Sequence, residues 1–293
     1  MKVYAKVTKV NQDVVREENQ VVVRGYADIT LDDCCKLSGI RIVEGRNGQM
    51  FAGYPQKPLY ANGAPKLDEN GKQVYIDIYH AVKKREDGSY GYDRELNDAI
   101  KNLVVEAYKS PEGYAYLNPE KGERSVSYIE PNLHACNGER TKAAGKLLVA
   151  GCVEVRDVFV NLYVRKDNDQ QFLKVSYPGY MSNGERHDYV EPLEEGTRWD
   201  REAKAEVPCN FKVLLEGAME KQALAFHPEL VEQLKGNLKG PFNNKEEEAR
   251  QAAMGQGEQL KGNVDELIAA AQEEAAKQGA KGQAEPEKDA LPL

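Results

Sequence analysis

Apolar and polar residues alternate from Val21 to Leu31, and the stretch is rich in β-branched side chains, which predicts a half-buried strand. Asp32-Asp33 supplies turn chemistry, and residues 35–43 return as a second strand. Gly45-Arg46-Asn47-Gly48 is a hairpin signal, because Asn-Gly accepts the positive φ angles of tight turns. Residues 50–54 form a third strand ended by Pro55, and residues 3–10 complete an antiparallel meander. Residues 56–74 hold Gly, Asn and Pro without apolar periodicity, which predicts a mobile loop or a long hairpin tip. A fourth core strand follows over 74–82. Leu96, Ile100, Leu103, Val104 and Ala107 then recur at helical spacing, with Asp93 placed to cap the start and Ser110-Pro111 to end it.

The same order of elements recurs within residues 147–222. Gly151 to Asp157 is followed by Phe172-Leu173-Lys174-Val175-Ser176-Tyr177-Pro178, then by Asp188-Tyr189-Val190-Glu191-Pro192-Leu193. A helix from Asn210 to Gln222 closes the set, its stripe formed by Phe211, Leu214, Leu215 and Ala218. His227-Pro228-Glu229-Leu230-Val231 opens a short extra helix, with Pro228 in the first turn where its missing donor costs nothing. The predicted fold class is α+β: two tandem small units, each a curved antiparallel sheet with one C-terminal helix, forming an intramolecular pseudo-dimer. Unit one spans 1–110, residues 111–140 read as a linker rich in Pro, Gly, Asn and charge, and unit two with the short helix spans 141–242. Over 243–293, Ala, Glu, Gln, Lys and Gly dominate and no aromatic residue occurs. That composition predicts a disordered acidic tail, with transient helix over 263–277.

Charge matters here through its location. The net charge is −8, yet residues 1–110 carry 17 Lys/Arg against 16 Asp/Glu, whereas residues 245–293 carry 6 against 11. The acidity lies mostly outside the first unit, so non-specific attraction to phosphate should be modest and salt-sensitive. Five cysteines (34, 35, 136, 152 and 209) show no CxxC and no His at metal spacing. An odd count with an adjacent pair argues against a disulfide framework and for a reducing, cytoplasmic setting. No apolar run approaches the roughly 18 residues of a membrane helix. The N-terminus lacks the layout of a signal peptide and reads as a strand.

Cations and tyrosines interleave in one region. Lys57, Lys66 and Lys72 lie in or beside the long loop, and Lys83-Lys84-Arg85 follows the fourth strand. Tyr54, Tyr60, Tyr75, Tyr79, Tyr90 and Tyr92 alternate with them. A binder of single strands needs cations to follow phosphates and aromatic faces to stack bases. The bland alternative is a solvated loop, a charged turn and tyrosines packed at a sheet edge. Sixteen Tyr against six Phe give many rings a polar end, which suits wet contact surfaces. His80 reads as a hydrogen-bonded structural histidine, since Glu191 stands at the matching place in the second unit. His187 neighbours Asp188 without a nucleophile to complete a triad. No phosphate-binding Gly loop, metal cluster or catalytic carboxylate pair is legible, so the chain reads as a non-enzyme without cofactor or metal.

The first unit resembles the SpoVG family of septation and sporulation regulators. The residues that carry the resemblance are Ala27-Asp28-Ile29-Thr30-Leu31-Asp32-Asp33, Ile40-Arg41-Ile42-Val43-Glu44-Gly45, Gly48 with Phe51, and Tyr54-Pro55-Gln56-Lys57-Pro58. Tyr75-Ile76-Asp77-Ile78-Tyr79-His80-Ala81-Val82 is similar to the family's next segment, and the helix falls where the family's C-terminal helix does. The second unit matches only at Gly151, Tyr177-Pro178, and Asp188 with Pro192. The resemblance implies a small α+β domain that dimerises through its strands and binds nucleic acid in regulating gene expression. Two departures are the single charge of Gln56-Lys57-Pro58, where the family has a basic element, and the long loop over 59–73.

The function these features imply is non-catalytic nucleic-acid binding, of DNA or RNA, in a regulatory or DNA-processing role. Contacts are expected at Lys57, Lys66, Lys72, Lys83, Lys84, Arg85, Tyr54, Tyr60 and Tyr90, with the second unit mainly completing the sheet. One alternative is a single-stranded-DNA-binding protein that recruits a protein partner through its tail. That tail, residues 285–293, runs from acidic Glu285 to the apolar tip Leu291-Pro292-Leu293. The other is a protein-interaction module acting through open sheet edges by strand addition. No membrane partner is expected, and further self-association of the fused pair stays open.

Overall fold

The computed structural model describes residues 2–16, 21–61, 63–117, 128–200 and 204–234, so the predicted tail lies outside the described residues. The first half contributes β1 (Val3–Arg16), β2 (Val21–Leu31), β3 (Cys35–Glu44) and β4 (Met50–Gly53). Four short strands follow: β5 (Gln56–Pro58), β6 (Tyr60–Ala61), β7 (Ala64–Pro65) and β8 (Tyr75–Asp77). Then come β9 (Tyr79–Lys84), β10 (Tyr90–Tyr92), the helix α1 (Arg94–Lys109) and β11 (Tyr114–Leu117). The second half opens with β12 (Ile129–Ala135), β13 (Thr141–Val149), β14 (Val153–Val164) and β15 (Gln171–Ser176). It continues with β16 (Gly179–Ser182), β17 (Glu185–Asp188), β18 (Val190–Pro192), β19 (Gly196–Asp200) and β20 (Ala205–Cys209). The helices α2 (Phe211–Phe226) and α3 (Glu229–Leu234) end the described chain. Both halves lie in one compact unit, Met1–Leu234.

Two antiparallel sheets carry the fold. One runs β11-β1-β2-β3-β18 with β4 also on β3, and the other runs β10-β9-β14-β13-β12 with β15 also on β14. Each half therefore lends strands to the sheet of the other, β9 and β10 from the first and β18 from the second. On β3, Val190, Glu191 and Pro192 oppose Leu37, Lys36 and Cys35. On β14, Tyr79, His80 and Ala81 oppose Val155, Glu154 and Val153. The flanking backbone bonds repeat as well: Val82 N–H donates to Cys152 O at 2.7 Å, and Leu193 N–H to Cys34 O at 3.0 Å. Ile78 N–H donates to Pro55 O at 2.9 Å, and Tyr189 N–H to Pro178 O at 2.8 Å. This reciprocal register is what a fused two-fold dimer would produce. The acidic member of the central pair changes side: Glu191 of the arriving strand bonds Lys36 at 2.5 Å in one sheet, while Glu154 of the receiving strand lies 4.0 Å from His80 in the other.

Local chemistry explains the matching turns. The β2–β3 turn takes positive φ at Asp32 (43°) and Asp33 (52°), and the β13–β14 turn takes it at Ala150 (50°) and Gly151 (67°). Asp93 and Asn210 each cap a 16-residue helix, accepting from Leu96 N–H at 3.1 Å and Val213 N–H at 2.9 Å. Val3, Ala5, Ile29, Leu31, Ile40 and Ile42 form the buried face of the first sheet, with Ile100, Leu103, Val104 and Ala107 of α1 in the same core. Asn97, fully buried in α1, accepts from Ala81 N–H at 3.0 Å and donates to Ala81 O at 3.2 Å. It fastens the exchanged strand β9 to the helix that follows it, with its polar atoms paired as burial requires.

Two expectations change, and one open alternative is settled. The single strand over 74–82 is two: β8 pairs with β5, and after Ile78 the chain leaves as β9 for the other half. The supposed linker contains β11, an edge strand on β1, and β12, an edge strand on β13. Pro131 is tolerated in β12 because an edge strand needs no inward donor at that position. The long loop is a hydrogen-bonded hairpin tip, with β6 on β7 and Leu67 bridged to Gln73.

Candidate nucleic-acid interface

The β9–β10 hairpin turns at Glu86-Asp87-Gly88. Arg85 N–H bonds Ser89 O at 2.7 Å, Gly88 takes φ +82°, and the Asp87 carboxylate accepts from Ser89 N–H at 2.9 Å and Oγ–H at 2.6 Å. Those hydrogen bonds from Ser89 hold the Asp87 carboxyl below its usual range. The turn presents Lys83, Lys84 and Arg85 to solvent, with Tyr90 directly opposite Lys84. Tyr92 is 52% exposed and stacks on buried His80, ring centroids 5.7 Å apart. Burial, then the Arg156 charge, pushes the His80 imidazole below its usual range, so it sits neutral against the tyrosine. Among the described residues, no three His, Cys, Asp or Glu side chains gather as a metal site would require.

The other predicted contacts divide. Tyr60, Lys66 and Lys72 are exposed on the long ribbon, whose tip is tied by Asp68 accepting from Asn70 and Lys72 N–H, both at 2.8 Å. Lys57 is already engaged, its ammonium paired with Asp157 of the second half. Tyr54 offers no face for a base: it is 3% exposed, with its ring 5.3 Å from Tyr79 and Lys101 over it. It follows the third strand immediately before Pro55, where the chain turns inward beneath α1.

The structure also forms a cleft of about 640 Å³ that the sequence reading did not identify. Tyr26, Gly39, Arg41, Pro55, Gln56 and Tyr75 line it from the first half, and Tyr180, Ser182 and Tyr189 from the second. Tyr26 and Arg41 are cross-strand neighbours on the outward face of β2 and β3. Gly39 holds φ +86°, and a Cβ there would lie 2.7 Å from the Tyr189 ring, so the glycine makes room for that ring. Tyr189 stands 5.0 Å from Tyr180, which in turn stacks on His187 at 5.3 Å. Burial, then Tyr180, pushes the Tyr189 phenol up, against the pull of Arg41. The alternation of β2 and β3 puts Tyr26 and Arg41 on one face, a signal present in the sequence. That the second half supplies the opposite wall is not.

The described residues define an α+β protein of two interlocked halves with an exposed surface of tyrosines and cations. Residues 5–110 match the model of the SpoVG family. It is a regulatory, septation-related family. No curated protein matches the chain, and no solved structure does. No described helix is long and apolar enough to cross a membrane.

Proposed function

We propose that the chain is a non-catalytic nucleic-acid-binding protein with a regulatory or DNA-processing role in the cytoplasm, and that its second half is a diverged copy of the first. The observation that carries the binding reading is the β9–β10 hairpin. It projects three consecutive cations into solvent with Tyr90 and Tyr92 on the adjoining strand, on a chain whose overall charge is negative. Cations beside open aromatic faces are what a phosphate backbone with accessible bases calls for. The reciprocal strand register and the equivalent turns and caps support the second-copy reading.

Fluorescence anisotropy of the full chain with labelled single-stranded and duplex DNA and RNA tests the binding. The variant Lys83→Ala/Lys84→Ala/Arg85→Ala should weaken whichever complexes form. Unchanged affinity in that variant places the contacts elsewhere, and no binding by the wild type at low salt refutes the reading.

A further inference from the structure

We propose that the tyrosine-lined cleft between the halves takes an unstacked nucleobase of a single strand, with Arg41 beside its phosphate. This deepens the nucleic-acid reading above and rests on it. Four of the nine lining residues are tyrosines, one is arginine, and none is acidic, on a chain of net charge −8. Among the described residues, no carboxylate is paired with Arg41. The cleft therefore offers π faces and one uncommitted cation, a combination complementary to a planar base carrying an anionic phosphate. Its volume lies within the roughly 300–1,000 Å³ usual for ligand sites. A base inside a duplex is covered on both faces by its neighbours, so these rings are available only to an unstacked one.

Comparison of the two junctions in this chain strengthens the assignment. The repeated backbone bonds align Pro55 with Pro178 and Ile78 with Tyr189. The strand registers align Cys35 with Val153, hence Gly39 with Asp157 and Arg41 with Phe159. At the first junction, Tyr180 and Tyr189 rise beside Gly39, facing the pair Tyr26 and Arg41. At the second, Lys57 stands in the place of Tyr180, Ile78 in that of Tyr189, and Asp157 in that of Gly39. Lys57 and Asp157 close on each other as an ion pair, and the cross-strand pair is Ala144 and Phe159. One backbone plan is thus bridged by charge at one junction, and left open, aromatic and cationic at the other. The open wall is already a column, with Tyr189, Tyr180 and His187 ring to ring, onto which a base adds as one more layer.

The test uses the full chain, a fluorescein-labelled oligo-dT single strand and a hairpin duplex of matched length. Tyr26 and Tyr180 are 47% and 42% exposed, so Tyr26→Ala/Tyr180→Ala should melt close to the wild type. The expected result is single-strand affinity lower by about 5-fold to 150-fold, the effect of losing a stacked base, with duplex affinity little changed. Arg41→Ala should weaken the single-strand complex and lower its salt slope by about 0.7. If the wild type binds nucleic acid but both variants bind the single strand as it does, the cleft inference is wrong while the nucleic-acid reading stands. If the wild type binds neither ligand, both fail together. Should a proline-rich peptide bind in a manner abolished by Tyr26→Ala/Tyr180→Ala while the single strand does not, the cleft is a peptide groove and the inference is overturned.

Discussion

Two buried tyrosines in contact should respond in opposite directions to the loss of the same atom. Tyr79 belongs to the exchanged strand β9, is fully buried, and donates its hydroxyl to Ser38 O on β3 at 2.9 Å. Tyr54 lies with its ring 5.3 Å away, and its equally buried hydroxyl has no hydrogen-bond partner. Tyr79→Phe removes a made hydrogen bond and should destabilise by about 1 kcal/mol, more if the Ser38 carbonyl is left unsatisfied. Tyr54→Phe removes a polar group buried without compensation, so it should stabilise by about 1 kcal/mol or more. For a unit of some 234 residues, each kcal/mol shifts Tm by about 2–4 °C. Calorimetric melts of the two variants should therefore separate by at least about 4 °C, Tyr54→Phe above the wild type and Tyr79→Phe below. Tyr54→Phe should also leave nucleic-acid affinity unchanged. A Tm below wild type for Tyr54→Phe would refute the reasoning, because it would mean that the hydroxyl is satisfied.

Other expectations concern the cleft wall, pH and the thiols. Gly39→Ala forces a left-handed alanine against the Tyr189 ring and should cost at least about 1 kcal/mol, read by denaturant titration. Burial, with Glu216 adding, pushes the Glu220 carboxyl from 4.5 up to about 7, so its contribution is fully present below about pH 4.5 and lost as pH rises through about 7. Glu220→Gln should raise Tm at pH 8 and leave it nearly unchanged at pH 4.5. His80, pushed below 6.5 by burial and then Arg156, contributes the opposite slope, with stability lost as pH falls below about 6.5, and His80→Gln should flatten that limb. Burial raises the thiols of Cys34, Cys35, Cys152 and Cys209, while Cys136 is half-buried. Ellman's reagent should thus titrate one fast thiol in the native protein and five on unfolding.

Local signals were readable in the sequence where the physics is local. Alternation from Val21 to Leu31, the Gly45–Gly48 turn, and the caps Asp93 and Asn210 each depend on neighbours within a few residues, and each lies where the pattern puts it. The pairing of β9 with β14 was not readable, because alternation fixes which face a side chain takes but not which strand lies beside it. For the same reason the strands hidden in residues 111–140 passed as linker. These short runs become strands only because β1 and β13 leave an edge open to them. Of the candidate site, Lys83, Lys84, Arg85 and Tyr90 come together on one hairpin. Tyr54 and Lys57 do not join them, one claimed by the core and the other by Asp157. Tyr26 and Arg41 become meaningful only once Tyr180 and Tyr189 arrive from the other half.

The most direct single measurement is the salt dependence of nucleic-acid affinity for the wild-type chain and for Lys83→Ala/Lys84→Ala/Arg85→Ala. If the hairpin follows phosphates, log K should fall linearly with log salt, and the triple substitution should make the slope shallower by about 2 to 3, since each phosphate contact contributes about 0.7 to 0.9. Identical slopes for the two proteins, or wild-type binding that ignores salt, would contradict the hairpin's role. A salt-independent complex would point instead to docking along an open sheet edge.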